Sequence, residues 1–333
     1  MTTTLIFVAA FCVVAVLVYM ARYSGRVRVN RTRLIDAPID AVFAQVQDFA
    51  HWDAWNPWLA HSPEARLTIS NPGNQPGSTC AWDSPRAGAG LFALVASKAS
   101  TRIQHTLRIQ QPFLVHGRST WTFAERDGKT EVRWQLKARV AFFMRAFSPT
   151  VRATLDLDCR YGLDRLASLL EPAHAARYQL TLLGPREVPA CRYVYQSYEG
   201  PIQALPNALH QTLAALRAQL RAQGVTETGA PLAFYLKTNI KLRTTVCLMG
   251  LPVGDADVGA LQVREMPAHV AYGARLQGGT DALELAWYLA MQSLTHDQRK
   301  PDQRLPPFEN YLQLADTTHS NDSVTEVNIP LLP

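Results

Sequence analysis

Between Thr2 and Ala21 the chain carries no charged residue, and Leu5 to Met20 (LIFVAAFCVVAVLVYM) is apolar almost throughout. About twenty helical residues at 1.5 Å rise cover about 30 Å, one hydrocarbon thickness, so the pattern predicts a transmembrane helix over 4–21. A core helix of this length would carry a polar stripe. A cleaved signal peptide would need a basic start and a small residue three positions before its cleavage site; MTTT has neither Lys nor Arg, and Tyr19 occupies that position before Ala21. Arg22, Arg26, Arg28, Arg31 and Arg33 follow directly. They keep the C-terminal side inside the cell and would lie against anionic lipid. The expectation is a single-pass protein of the inner membrane, with the bilayer as partner and its soluble domains cytoplasmic.

From Val27 to Glu171 the periodicity changes. An alternating strand is followed by Asp36-Ala37-Pro38, which opens a helix with Ile39, Val42, Phe43 and Val46 at i, i+3, i+4, i+7. His51-Trp52-Asp53-Ala54-Trp55-Asn56-Pro57-Trp58 comes next. Short alternating runs from Leu67 to Val140 are then divided by Asn71-Pro72-Gly73, Gly88-Ala89-Gly90 and Asp127-Gly128. A helix from about Pro149 to Leu170 closes the stretch, with Val151, Leu155, Cys159, Leu163, Leu166 and Leu170 on one stripe. The order is strand, helix, antiparallel strands, long helix.

After Glu171-Pro172-Ala173-His174 an internal repeat begins. Val188-Pro189-Ala190 with Tyr193, Tyr195 and Gly200 returns 78 residues later as Met266-Pro267-Ala268 with Tyr272 and Gly278. An amphipathic helix follows each, with Leu205, Leu209, Leu213, Leu216 and Leu220 in the first copy. The second has Leu283, Ala286, Trp287, Ala290 and Leu294. Ala230 to Leu236 then aligns with Pro306 to Leu312 at an offset of 76, and each copy ends in a further strand, Leu242 to Leu251 and Val324 to Leu332. The pattern predicts two strand-helix-strand-strand units. Strand alternation puts Glu309 and Tyr311 on one face, with Ala233 and Tyr235 as their repeat counterparts, so only one copy carries the charge.

A length of 333 residues fits two domains after the apolar segment, with expected bounds 4–21, 27–171 and 178–333 and an α+β class. The net charge of +6 is concentrated: five arginines and no acid lie in residues 1–33, leaving +1 for the other 300. A nucleic-acid binder would spread cations over a folded face, so no nucleic-acid partner is expected. Cys12, Cys80, Cys159, Cys191 and Cys247 have no framework spacing and read as reduced, buried thiols. No HExxH, GxSxG, GxxxxGK[ST] or complete GxGxxG occurs, and no metal-spaced His/Cys set. Neither metal nor cofactor is expected.

The strand, the AP-x-x-x-V-F helix, the W-x-x-W-N-P-W element, the glycine-rich hairpin, the W-T-F and V-R-W strands and the long last helix resemble the START-like, polyketide cyclase and dehydrase (SRPBCC) superfamily. The resemblance implies a helix-grip fold, an antiparallel sheet around the last helix with an apolar cavity between. Six of the seven tryptophans, Trp52, Trp55, Trp58, Trp82, Trp121 and Trp134, fall in this stretch, most of them read as core. Asp83, His105 and Arg118 could face such a cavity, with a surface or edge position the preferred reading for each.

The duplicated unit, with its closing Thr325-Glu326-Val327-Asn328-Ile329-Pro330-Leu331, resembles the GyrI-like family, the effector-binding domains attached to AraC-type and multidrug-responsive regulators. That resemblance implies an aromatic-walled pocket with a glutamate at its base, here Glu309, and a tyrosine on the matching strand, here Tyr235. Departures are Asp316-Thr317 for the usual Asp-Pro, and Asn328 for the usual Tyr. No helix-turn-helix precedes the unit, which disfavours a transcription factor. A carboxylate among tyrosines can hold an organic cation, aided by aromatic faces, or act as a general base. The expected function is binding or sensing of a small hydrophobic or cationic aromatic ligand through Glu309, Tyr311, Tyr235, Tyr193 and Tyr195. A hydrolase using Glu309 as general base with Tyr235, and a protein-sequestering module, are the alternatives.

Overall fold

The computed structural model describes residues 11, 14–60, 64–84, 88–111, 114–171, 178–239, 242–315 and 322–333. The chain divides into two compact units, Met1–Ala176 and Arg177–Pro333, each built on an antiparallel sheet with helices, an α+β arrangement.

The N-terminal expectation is corrected first. Residues 14–21 are helical, but among the described residues no helix is long and apolar enough to cross a membrane. The span over 4–21 and the single-pass inner-membrane placement built on it are therefore not upheld; residues 1–10, 12 and 13 lie outside the described residues. The five arginines do not act as one lipid-facing group either. Arg31 and Arg33 share the parity of buried Val27 and Val29 and point to the closing helix. Arg31 pairs with Asp156, and Arg33 with Asp164 and, at 3.5 Å, with Glu171.

In the first unit the elements are β1 (Arg26–Ile35), α1 (Ile39–Gln47), a 3-10 segment (Phe49–Ala54) and β2 to β7 (Arg66–Ile69, Thr79–Ser84, Gly88–Lys98, Arg102–Gln111, Val115–Arg126, Lys129–Val140). The long helix α2 (Ser148–Leu170) closes it. The sheet order is β1-β7-β6-β5-β4-β3-β2. Asp127 (φ 52°) and Gly128 (φ 75°) make the β6–β7 turn; two successive positive φ values match the twist of the flanking strands, and the pair Asp-Gly adopts them at low cost.

Helix α2 turns Leu155, Cys159, Leu163, Leu166 and Ala167 into the core. Gly162 sits among them because a Cβ there would meet Pro57 Cδ at 2.8 Å and Trp134 Cζ3 at 3.0 Å. The helix accepts a residue of poor propensity to let the indole approach.

In the second unit β8 (Tyr178–Val188), β9 (Cys191–Pro201), α3 (Leu205–Ala222), β10 (Leu232–Asn239) and β11 (Thr244–Pro252) form the first copy. The second copy is β12 (Val263–Met266), β13 (His269–Gly278), α4 (Leu283–His296), β14 (Phe308–Gln313) and β15 (Val324–Pro330). Each copy thus has one strand more than the repeat predicts, β8 and β12. The sheet order is β12-β9-β11-β10-β14-β15-β13-β8, which reads as the same four strands inward from either edge. The extra strand of each copy pairs with the second strand of the other, β8 with β13 and β12 with β9. A local twofold therefore passes between β10 and β14.

Candidate functional site

The register places that axis on particular residues. On β10 and β14 the partners are Leu232 and Asn310, Ala233 and Glu309, Phe234 and Phe308. The offset of 76 makes Ala233 and Glu309 repeat counterparts, and they are also direct cross-strand partners. Tyr235 and Tyr311 are counterparts too and flank the pair. Two glutamates facing each other on an axis would repel; alanine in one copy leaves a single carboxylate.

Glu309 is 1 % exposed. Trp287 Nε1 of α4 donates to Glu309 Oε1 at 2.6 Å, and the Tyr311 hydroxyl donates to Oε2. The Tyr235 hydroxyl interacts with the same carboxylate, and its ring meets that of Trp287 edge-on at 5.6 Å. Burial raises the Glu309 carboxyl above its ordinary value, opposed by the hydrogen bonds from Tyr311, Trp287 and Tyr235. Those donors favour the charged form, while the missing water disfavours it. Burial, reinforced by the neighbouring carboxylate, pushes both tyrosines well above the usual phenol range. Cys247, opposite Tyr235, is pushed up to about 12 for the same two reasons. The cluster is a buried carboxylate under a roof of one indole and two phenols.

Three of the five expected residues, Glu309, Tyr311 and Tyr235, come together. Tyr193 and Tyr195 do not. Tyr193 stacks on Phe234 at 4.6 Å and belongs to the cluster of Leu232, Phe234, Leu248 and Phe308, whose parity on β10 is opposite to that of Ala233 and Tyr235. An offset of 78 aligns Val194 with Tyr272, and it is Val194 that packs with the α3 leucines. Trp287 was missed as a site residue, although it is the lone aromatic in a stripe of leucine and alanine and its counterpart is Leu209. The Asp316-Thr317 departure lies outside the described residues.

The first unit's interior is aromatic. Trp121 stacks on Trp134 at 4.1 Å, and Trp52, Trp55, Trp82, Trp121 and Trp134 are all buried. Trp58 Nε1 donates to the buried Asp158 at 3.1 Å, and Trp134 Nε1 to Ser119 Oγ at 2.8 Å. Asp83 and Arg118 are exposed. His105, expected at a surface or edge, is instead 1 % exposed among Phe49, Trp52 and Phe92. Among the described residues neither ring nitrogen has a partner, and burial lowers its pKa to about 3. Cys80, Cys159 and Cys247 are free and buried, Cys191 free and half-buried, and Cys12 lies outside the described residues. Among the described residues no group of three or more His, Cys, Asp or Glu side chains could hold a metal ion.

Residues 26–171 match the family model described as polyketide cyclase/dehydrase and lipid transport. This part of the chain is a domain of that kind, a fold consistent with small-molecule binding. No curated protein matches the chain. Among solved structures, the C-terminal domain of EcmrR is 19 % identical, with TM-score 0.38, over 46 % of this chain and 98 % of that one. Protein CV1439 from Chromobacterium violaceum is 16 % identical, with TM-score 0.35, over 44 % and 97 %. The structure of SAV2435 bound to tetraphenylphosphonium is 14 % identical, with TM-score 0.35, over 46 % and 93 %.

Proposed function

We propose that residues 178–333 are a GyrI-like effector-binding domain that binds a small hydrophobic or cationic aromatic ligand, joined to the SRPBCC domain at 27–171. The observation that carries this reading is the single carboxylate on the internal twofold, buried and held by hydrogen-bond donors from both copies. An organic cation supplies the missing counter-charge, and the faces of Trp287, Tyr235 and Tyr311 supply quadrupole attraction and apolar contact. Binding is favoured over hydrolysis because burial takes both phenols further from neutrality, so neither is matched to proton donation near pH 7.

The test uses an isosteric pair, phenyltrimethylammonium and neutral tert-butylbenzene. Glu309→Gln preserves shape and removes charge, so affinity for the cation falls by about 1.5–3 kcal/mol and that for the hydrocarbon stays. If the variant instead keeps cation affinity but abolishes turnover of an activated ester, Glu309 is a general base. If neither changes, the site assignment fails.

A further inference from the structure

The outer face of the first sheet carries an array of cations that plays no part in the Glu309 site. Arg26 on β1 lies opposite Arg139 on β7, which lies opposite His116 on β6, itself opposite Arg108 on β5. One step along, Arg28 lies opposite Lys137, and Lys137 opposite Arg118. All seven side chains are exposed, and among the described residues none has an ion-pair partner. Like charges placed directly opposite across strands are destabilising. Two adjacent rows of them, with no acid interleaved, are a cost that folding alone does not explain.

These rows border a shallow, open groove of about 370 Å³ whose lining includes Arg26, Arg28, His116, Arg118, Lys137 and Arg139 beside Val27, Gly117 and Ala138. The cations stand on a lattice of about 5 Å between strands and about 7 Å along them. The next row, Asn30, Gln135, Thr120 and Gln104, is neutral, and it separates these cations from Arg102 and Arg133 further along the same face. No Phe, Tyr or Trp stands in either cationic row.

We propose that this groove is a binding site for a small, multiply phosphorylated molecule. Charge complementarity selects a polyanion, and arginine forks match phosphate oxygens. The lack of aromatic side chains in the cationic rows, on which bases could stack, argues against a nucleic-acid track, which needs stacking platforms.

The test titrates the full chain with tripolyphosphate by calorimetry, comparing the wild type with Arg28→Gln/Arg118→Gln and with Arg102→Gln/Arg133→Gln. The last pair lies on the same face beyond the neutral row. Near-UV circular dichroism of the tryptophan cluster reports that each variant is folded. The groove pair is expected to lose about 30-fold or more in affinity, and the distal pair less than about 3-fold. Absence of tripolyphosphate binding, or equal losses in both pairs, overturns the site. Tighter binding of a poly-dT oligonucleotide or of phosphatidylserine vesicles than of tripolyphosphate overturns the assignment to a small molecule.

Discussion

Glu309 in the second unit and His105 in the first are both buried among aromatic rings, and the two are treated in opposite ways. Glu309 is met by an indole N–H and phenolic hydroxyls, all of them donors that match a carboxylate. His105 sits among Phe49, Trp52 and Phe92, with neither ring nitrogen bonded among the described residues. The first arrangement offers donors to a charge that burial disfavours; the second offers none. Burial alone therefore does not mark a site. The partners supplied to the buried group tell the two apart: of this pair, Glu309 has donors that favour its charged form and His105 has none among the described residues.

The largest expected effect breaks the comparison from the histidine side. The neutral imidazole is kept by a folded-state pKa of about 3 against an ordinary value of 6.5. Unfolding takes up a proton below pH 6.5, so stability is lost as pH falls from there towards 3, by several kcal/mol in all. His105→Phe removes this acid limb while leaving the second unit unchanged, as read by urea unfolding at pH 7 and pH 4. An unchanged acid limb in the variant would mean that His105 reaches water.

A smaller effect sharpens the carboxylate side. Trp287→Phe deletes the donor to Glu309 Oε1 and keeps an aromatic face, so the second unit loses about 1–3 kcal/mol and the Glu309 carboxyl rises further. The smallest effect is on Glu309→Gln itself. The raised carboxyl penalises folding only once pH exceeds its unfolded value and it must ionise inside the protein. The variant is then of equal stability at pH 4 and changes by less than about 1 kcal/mol at pH 8, because removing the desolvation cost offsets the lost charge-assisted bonds. A loss of several kcal/mol at pH 8 would make Glu309 a structural residue.

Much of this contrast was legible in the residues. Parity on the strand Phe308 to Gln313 puts Glu309 and Tyr311 together, and the offset of 76 brings in Tyr235. Alternation also carried the signal for His105, which stands between Ile103 and Leu107 at two-residue spacing, though its polarity suggested a surface. Tyr193 and Tyr195 misled because an aromatic pair was matched to Tyr272 one residue out of register, and a single slip changes face. The strand β8 was hidden by Gly184-Pro185, which normally breaks a strand. Here Pro185 stands on the sheet's edge, and the register shifts opposite Gly184. The basic groove escaped because charge was counted along the chain: Arg26 and Arg28 meet His116, Arg118, Lys137 and Arg139 only after β1, β7 and β6 pair.

The central claim is that Glu309 is a carboxylate held ready for a cation. It is tested most directly by a ¹³C NMR titration of the δ-carbon of glutamate-labelled protein, with the Glu309 signal assigned by its loss in Glu309→Gln. The account predicts a midpoint above the ordinary glutamate value in the free protein, shifting down when phenyltrimethylammonium is added and unmoved by tert-butylbenzene. A midpoint at the ordinary value, or one that the cation leaves in place, would contradict it.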